Sequence, residues 1–143
     1  PVVASSTFLE RDGAEEYAVG VMEGLSASMK WVMLNPEAAA NMMIEDVNPN
    51  LETQGVDSVK QTIIGAINAP GLTEEATTEG LGAYTMDKVE ATFEFAASAQ
   101  DLDTPSAEEY WRQDLQDRAD LTTLSSSEFD KAYELGKPFT EYY

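Results

Sequence analysis

The sequence predicts a mostly α-helical chain, in which one short N-terminal strand precedes five or six helices. Apolar residues recur every three or four positions in three long stretches, residues 14–34, 54–68 and 85–97, which is the pattern of amphipathic helices. Asn-Pro pairs at residues 35–36 and 48–49 mark sharp helix boundaries, because the residue before a proline avoids the α-helical region. No segment beyond residue 4 predicts a second strand.

The first residues are predicted to form a short buried strand and then a short helix. Residues 2–4 are Val, Val and Ala, which suit a buried strand. Thr7 and Glu10 have the spacing of a capping box, in which two side chains satisfy backbone N–H groups at the start of a helix. Asp12 and Gly13 are then expected to end this helix.

Residues 14–34 carry the clearest helical pattern. Their apolar stripe comprises Ala18, Val21, Met22, Leu25, Met29 and Val32, and the charged residues mostly lie off it. We expect this stripe to face the core. Pro36 suits the first position of the next helix, because its missing N–H would have no helical partner there, and Asn35 is then the N-cap. This next helix is expected to end before Asn48.

The later segments predict further helices separated by polar loops. Val and Ile residues form the apolar face of a helix over 54–68, whereas residues 71–84 are rich in Thr, Glu and Gly and predict a loop. Thr85 is expected to cap a helix through residue 97. Ser106 with Glu109, and Ser125 with Glu128, predict capping boxes for two more helices, the last of which ends at Gly136.

The charge and composition of the chain argue against several classes of function. There are 27 acidic and 8 basic residues, for a net charge of −19, so nucleic acids and anionic membrane surfaces would be repelled. The chain has no Cys and no His, which removes thiolate ligands, the commonest metal ligand and the commonest general base. We therefore expect no metal site, no cofactor and no enzymatic activity.

The remaining groups that could carry chemistry have simpler interpretations. Adjacent carboxylates are abundant, but neighbours on a helix point about 100° apart and do not readily share a substrate proton. The Gly-rich segment 80–85 lacks the spacing of a phosphate-binding loop, so a turn is favoured. The Tyr, Trp and Met residues at helical spacings are interpreted as packing residues before ligand contacts.

Four segments resemble the C-terminal portion of a known family. They are VVASSTFLE at residues 2–10, GLSASMKWVMLNPEAA at 24–39, NPNLE at 48–52 and GLGAYTMDKVEATFEF at 80–95. The family is the periplasmic solute-binding proteins of ABC transporters, of the nitrate, taurine, sulfonate and thiamine-precursor type. The most specific part of the resemblance is Trp31 with residues 35–39, and the likeness covers most of residues 1–100.

The resemblance implies a two-lobed α/β fold of periplasmic-binding-protein type II. It implies that residues 1–100 form the C-terminal part of the first lobe, after the return crossover, and that residues 101–143 are helices packing on that lobe. The implied function is to bind a small solute in the cleft between lobes and deliver it to the ABC transporter permease. The implied location is periplasmic or extracellular, including a membrane-associated lipoprotein. The missing N-terminal portion of the same protein would supply most ligand contacts.

Ser5 and Ser6 are the ligand-binding candidates within this chain, because they follow the predicted strand. The alternative interpretation is that they only cap the helix after it. An alternative function for the whole chain is an all-helical acidic interaction or adaptor protein without catalytic activity.

Overall fold

The computed structural model describes residues 4–68 and 71–142, and all regular structure within those ranges is helical. The α-helices are α1 (Ser6–Leu9), α2 (Ala14–Leu34), α3 (Pro36–Met42), α4 (Val56–Ile63), α5 (Glu75–Thr78), α6 (Met86–Ser98), α7 (Ala107–Tyr110), α8 (Gln113–Arg118) and α9 (Ser126–Gly136). Turns of π-helix at Met43–Val47 and Ile64–Asn68 extend α3 and α4, and 3-10 helices cover Pro49–Gln54 and Lys137–Tyr142. The mostly helical prediction is therefore confirmed for the described residues.

Helix α2 has the predicted bounds. It starts after Gly13, whose φ of +74° is a left-handed conformation that glycine adopts without strain, and Glu15 and Glu16 lie in its first turn, where the helix dipole favours acids. It ends at Asn35. The backbone N–H of Asn35 and its side-chain Nδ2 both donate to the carbonyl oxygen of Trp31, at 3.0 and 2.9 Å.

The corner between α2 and α3 forms as predicted, but by a different contact. Pro36 occupies the first turn of α3 and is buried. Asn35 stands at the N-cap position, yet its side chain accepts no hydrogen bond from α3, because its amide is turned back to close α2. The helical path then ends before Asn48, whose side chain accepts from the backbone N–H of Asn50 and so starts the next short helix.

The core lies between the second half of α2, α5 and α9. Its buried residues are Met33, Ala76, Leu81, Leu124 and Ala132, and partly buried Met29, Leu34, Ile67, Leu72 and Phe129 pack around them. Asn68 is buried beside this core, where its Nδ2 donates to the backbone oxygens of Met33 and Ala132 at 3.3 and 3.1 Å. Asn68 thus joins the end of α2 to α9.

Residues 112–128, which we call the strap, run along one side of α2. Arg112 and Arg118 pair with Glu15 at its start, at 2.7 and 2.8 Å. In the middle, Ser26 is buried and exchanges hydrogen bonds with the backbone of Thr122. Further contacts are those of Glu16 with Arg118, Glu23 with the backbone N–H of Asp120, and Lys30 with Thr123 and Glu128. The strap therefore covers the polar side of α2. Within the predicted apolar stripe, Ala18 is buried and Met29 packs against the core, whereas Leu25 is 49% exposed.

Three further predicted caps and one predicted helix need correction. Thr85 stands at the N-cap position of α6, but its side chain makes no capping hydrogen bond. The cap of α1 is Ser5, whose Oγ accepts from the N–H of Phe8 at 3.1 Å, so Thr7 and Glu10 do not form the capping box. Ser106 makes no side-chain cap, and the chain turns to an extended conformation at Trp111, which separates α7 from α8. The capping box of Ser125 and Glu128 is confirmed.

The number of helices was underestimated because several have a single turn. The helices α1, α5 and α7 have four residues each, and α5 lies in the segment that was predicted to be a loop. The predicted strand at residues 2–4 lies outside the described residues, except for Ala4, which has no regular structure.

Candidate functional site: a groove and an uncharged helix face

A wide groove lies beside the α2–α3 corner. Its volume is about 790 Å³ and it opens broadly to solvent. The corner forms one wall, α4 a second and α9 a third. The lining residues are Leu34, Asn35, Pro36, Glu37, Ala38, Asn41, Lys60, Gln61, Ile64, Lys131, Glu134, Leu135 and Pro138. The groove is therefore built on the segment that carries the most specific part of the family resemblance.

The groove carries both signs of charge. Lys60 pairs with Asp57 at 2.7 Å, and this hydrogen bond raises the pKa of the Lys60 amine, with Glu37 acting in the same direction. Lys131 donates to the carbonyl oxygen of Leu34 at 2.9 Å, which satisfies a backbone group at the end of α2. The groove combines apolar side chains, amide groups and charges of both signs, and it presents no activated nucleophile. It is an open surface depression and not an enclosed pocket of the kind that buries most of a small ligand.

The second feature is the side of α2 opposite the strap, which we call the uncharged face. It consists of Tyr17, Gly20, Val21, Gly24, Leu25, Ala27, Ser28, Trp31 and Val32. Tyr17 is 66% exposed, Leu25 49% and Trp31 41%. At 100° per residue, Tyr17, Val21, Ser28 and Val32 lie across the helix from the row that contacts the strap, whereas Ala27 lies at the edge of that row. The ring of Tyr17 packs edge-on against Phe8 of α1, with 5.9 Å between the ring centroids. Every charged residue of α2 contacts the strap, which leaves this face without charge.

The perturbed carboxylates act as partners of cations. The Lys88 ammonium, which pairs with Oε1 of the largely buried Glu75, lowers the pKa of that carboxyl to about 2. The Glu75 backbone N–H and the Thr73 hydroxyl act in the same direction, although Oε2 has no well-aligned donor among the described residues. Lys30 and the Ser125 cap likewise lower the pKa of Glu128 to about 2. These downward shifts favour structural ion pairs, since a general acid needs a raised pKa.

The two sequence-predicted ligand residues lie at the start of α1. Ser5 is its N-cap and Ser6 its first residue, and both side chains are exposed. Neither lines the groove beside the α2–α3 corner. The capping role of Ser5 agrees with the alternative interpretation of these residues, and their contact with a ligand stays a prediction.

Sequence reasoning missed both the groove and the uncharged face. The Asn35-Pro36 corner was the available signal for the groove. The spacing of Glu23, Ser26 and Lys30 was the available signal for the strap contact, because these residues form a polar row at helical spacing. Once that row is covered, the opposite side of α2 is the one left open.

None of the described helices combines the length and hydropathy needed to cross a lipid bilayer. Within residues 4–68 and 71–142 no group of three or more acidic side chains is arranged to hold a metal ion. Comparison of the chain with protein-family models, with curated proteins and with solved structures found no match.

Proposed function

We propose that this chain is the C-terminal part of a solute-binding protein of an ABC importer. In this proposal two lobes close on a small solute, and the closed receptor delivers that solute to the membrane permease. Residues 1–100 belong to the first lobe after the return crossover, and residues 101–143 pack on it. The location would be periplasmic or extracellular, with a membrane-associated lipoprotein as a variant of the same function.

The observation that carries the proposal is the corner from Trp31 to Ala39. In the sequence this stretch is the most specific part of the family resemblance. In the structure Asn35 closes α2 on Trp31, Pro36 starts α3 and is buried, and Ala39 and Ala40 pack inside. The end of α2, which contains Trp31, and the start of α3 at Asn35-Pro36 therefore form a rigid corner. A lobe that moves as one body needs such rigid connections between its helices.

The distribution of apolar residues also supports a larger assembly. Much of the core is alanine, whereas Tyr17, Val47, Phe95, Leu102 and Tyr110 each have more than half of their surface exposed. Large exposed apolar side chains on several helices are expected of a layer that is covered by another part of the same fold. The missing N-terminal portion of the receptor would provide this cover.

An all-helical interaction or adaptor protein is the second candidate. The specific observation in its favour is that all regular structure in the described part of the chain is helical. In that case the exposed apolar residues would contact a partner protein. Solution scattering with circular dichroism separates the two candidates, because a compact and fully helical monomer supports the adaptor and a mixed α/β receptor does not produce that signal.

The proposal is tested by thermal shift of the complete gene product with sulfonates, nitrate, pyrimidines and amines. A solute at one hundred times its Kd stabilises the folded state by about 2.7 kcal/mol. For a protein of this size class or larger, that corresponds to a rise in Tm of about 5–10 °C. If no member of a broad panel shifts the Tm, while the protein unfolds cooperatively, the receptor function is not supported.

Ser5 and Ser6 allow a matched test of the site prediction. Replacing Ser6 with Ala removes a hydroxyl that has no capping role, whereas replacing Ser5 with Ala also removes the cap of α1. Ser5→Asn keeps a capping side chain and serves as the control. If these residues contact the solute, Ser6→Ala reduces the solute-induced shift without changing the Tm of the unliganded protein.

A further inference from the structure

Helices α6 and α7 and the loop between them expose three large apolar side chains. Phe95 is 76% exposed, Tyr110 64% and Leu102 63%. We call these three residues the α6–α7 face. Exposed apolar side chains that lie together on one surface mark a site of contact with another molecule.

The α6–α7 face is held together by contacts between its elements. The ring of Tyr110 packs against that of Phe93, with 6.3 Å between the centroids, so α7 lies against α6. The backbone N–H of Leu102 donates to the carbonyl oxygen of Ala97 at 3.0 Å, which ties the loop to the end of α6. Leu102 is therefore held at a hydrogen-bonded helix end and is still largely exposed.

Carboxylates surround this apolar face. Residues 86–110 contain seven acidic residues and a single basic one. All seven acidic residues are exposed, and they are Asp87, Glu90, Glu94, Asp101, Asp103, Glu108 and Glu109. The first three form a row along α6, because they have the i, i+3, i+7 spacing of one side of a helix. At 100° per residue this row lies between the buried side of α6, which carries Val89, and the outer side, which carries Phe95.

These seven carboxylates have no counter-charge in the described parts of the chain. The salt bridges within residues 4–68 and 71–142 use other acidic residues. The one basic residue of the region, Lys88, pairs with Glu75 of α5. A neighbour that covers Phe95 also removes water from the carboxylates beside it, which is unfavourable unless that neighbour brings cations.

The combination of apolar and acidic groups selects the kind of partner. A second copy of this chain carries the same net charge of −19 and would be repelled. Lys and Arg side chains supply cations on long apolar stems, and Leu or aromatic side chains beside them would cover Phe95 and Leu102. A basic amphipathic helix presents both kinds of side chain at helical spacing.

We propose that the α6–α7 face is a docking site for a basic amphipathic segment of another protein. The large apolar side chains of that segment pack on Phe95, Leu102 and Tyr110, and its Lys and Arg side chains pair with the surrounding carboxylates. The proposal goes beyond solute binding, since none of these residues lines the groove beside the α2–α3 corner. It also separates these three residues from Tyr17, which lies on the uncharged face and needs only an apolar cover.

The first test measures binding of a synthetic peptide by calorimetry in about 0.1 M salt. The peptide has about 15 residues, enough to span the roughly 20 Å of α6, with Leu along one side of a helix and Lys on the other. A control peptide keeps every Lys and has Ser in place of Leu. We expect the amphipathic peptide to bind at least about tenfold more tightly than the control. Equal affinities would overturn the proposal, because binding would then follow net charge alone.

The second test compares two variants of equal net charge. The row on α6 is removed by Asp87→Asn, Glu90→Gln and Glu94→Gln. The control variant carries Glu45→Gln, Asp46→Asn and Glu52→Gln, which remove three exposed carboxylates near the α3–α4 connection. We expect the α6 variant to raise the Kd of the amphipathic peptide by about tenfold or more and the control variant by less than about threefold. Equal weakening shows non-specific attraction to an acidic chain and overturns the proposal.

The apolar part of the site has its own matched pair. Phe95→Ser removes the most exposed side chain of the α6–α7 face, and Leu25→Ser removes a 49% exposed side chain from the uncharged face. Both positions are on the surface, and circular dichroism verifies that each variant folds. We expect Phe95→Ser to weaken peptide binding by about fivefold or more and Leu25→Ser to leave it unchanged. An unchanged Kd for Phe95→Ser excludes the site.

Hydroxyl-radical footprinting of the complete gene product shows whether the α6–α7 face is free to bind. Phe95 and Tyr110 are expected to be labelled to within about twofold of the urea-unfolded protein and to become protected when the amphipathic peptide is added. Protection before any peptide is added means that another part of the same protein covers the face, and this result contradicts the proposal.

The outcomes for docking and for receptor function can be separated. A protein that binds the amphipathic peptide through the α6 row but responds to no solute keeps the docking site and loses the receptor function. A protein that shows solute-induced shifts but binds both peptides equally is a receptor without this docking site.

Discussion

Ser26 provides the sharpest test of the strap. Its Oγ accepts from the backbone N–H of Thr122 at 2.8 Å and lies 3.4 Å from the carbonyl oxygen of the same residue, and Ser26 is 1% exposed. Ser26→Ala leaves the backbone N–H of Thr122 without this acceptor, whereas the Thr122 carbonyl oxygen still accepts from the N–H of Leu81 at 3.0 Å. A buried polar group that loses its partner costs about 1–3 kcal/mol, whereas the higher helix propensity of alanine returns about 0.5 kcal/mol. Thr122 is only partly buried, so we expect a net loss of about 1–2 kcal/mol in the free energy of unfolding.

The assay is urea unfolding followed by circular dichroism, together with hydrogen exchange at the Thr122 amide. Ser28→Ala is the matched control, because Ser28 lies on the same helix, is exposed and bonds only to the Gly24 carbonyl. We expect Ser28→Ala to change the free energy of unfolding by less than about 0.5 kcal/mol. The Thr122 amide should lose protection in Ser26→Ala alone. Equal effects of the two substitutions would refute the idea that Ser26 anchors the strap.

Three further outcomes follow from the structure. Gly80→Ala should lower the free energy of unfolding in urea by about 3 kcal/mol, because its φ is +117° and an added Cβ would overlap the Cβ and the backbone of Leu121. Gly82 also has a positive φ but open space around it, so Gly82→Ala should cost about 1 kcal/mol. The pKa values of Glu75 and Glu128 lie near 2, below the ordinary 4.5. The stability that these two ion pairs contribute is therefore complete above pH 4.5 and is lost as the pH falls towards 2. Glu128→Gln should lose less stability than the parent protein in an acid titration, because it lacks one of the two carboxylates. Raising the salt concentration from about 0.1 M to about 1 M shortens the electrostatic screening length from about 10 Å to about 3 Å. We expect the Tm to rise, because screening relieves the repulsion within the net charge of −19 more than it weakens the ion pairs. A falling Tm would contradict this.

Local signals predicted the elements that depend on neighbouring residues. The bounds of α2 are set by Gly13, which adopts a positive φ, and by the Asn35-Pro36 pair, and both signals lie within the segment itself. The capping box of Ser125 and Glu128 is local in the same way. These features were therefore visible in the sequence before any tertiary contact was known.

Features that depend on distant residues could not be predicted in this way. The side of α2 that is buried is decided by Arg112, Arg118 and Thr122, which lie about a hundred positions further along the chain. Periodicity identifies an apolar stripe, but it does not identify a segment that satisfies the polar side with backbone groups. The predicted cap of α1 was wrong for a simpler reason. Ser5 and Thr7 are both favourable N-cap residues, and the local sequence does not decide between them.

The use of the basic residues links the strap to the uncharged face. Lys30, Arg112 and Arg118 all join α2 to the strap, so a large share of the 8 basic residues fixes one side of one helix. A helix whose opposite side faced water could carry acidic residues on that side, as much of this acidic chain does. The opposite side of α2 instead keeps Tyr17, Leu25 and Trp31 exposed and excludes every charge. The strap fixes the rotation of α2 about its axis, because turning the helix would break these ion pairs and expose Ser26.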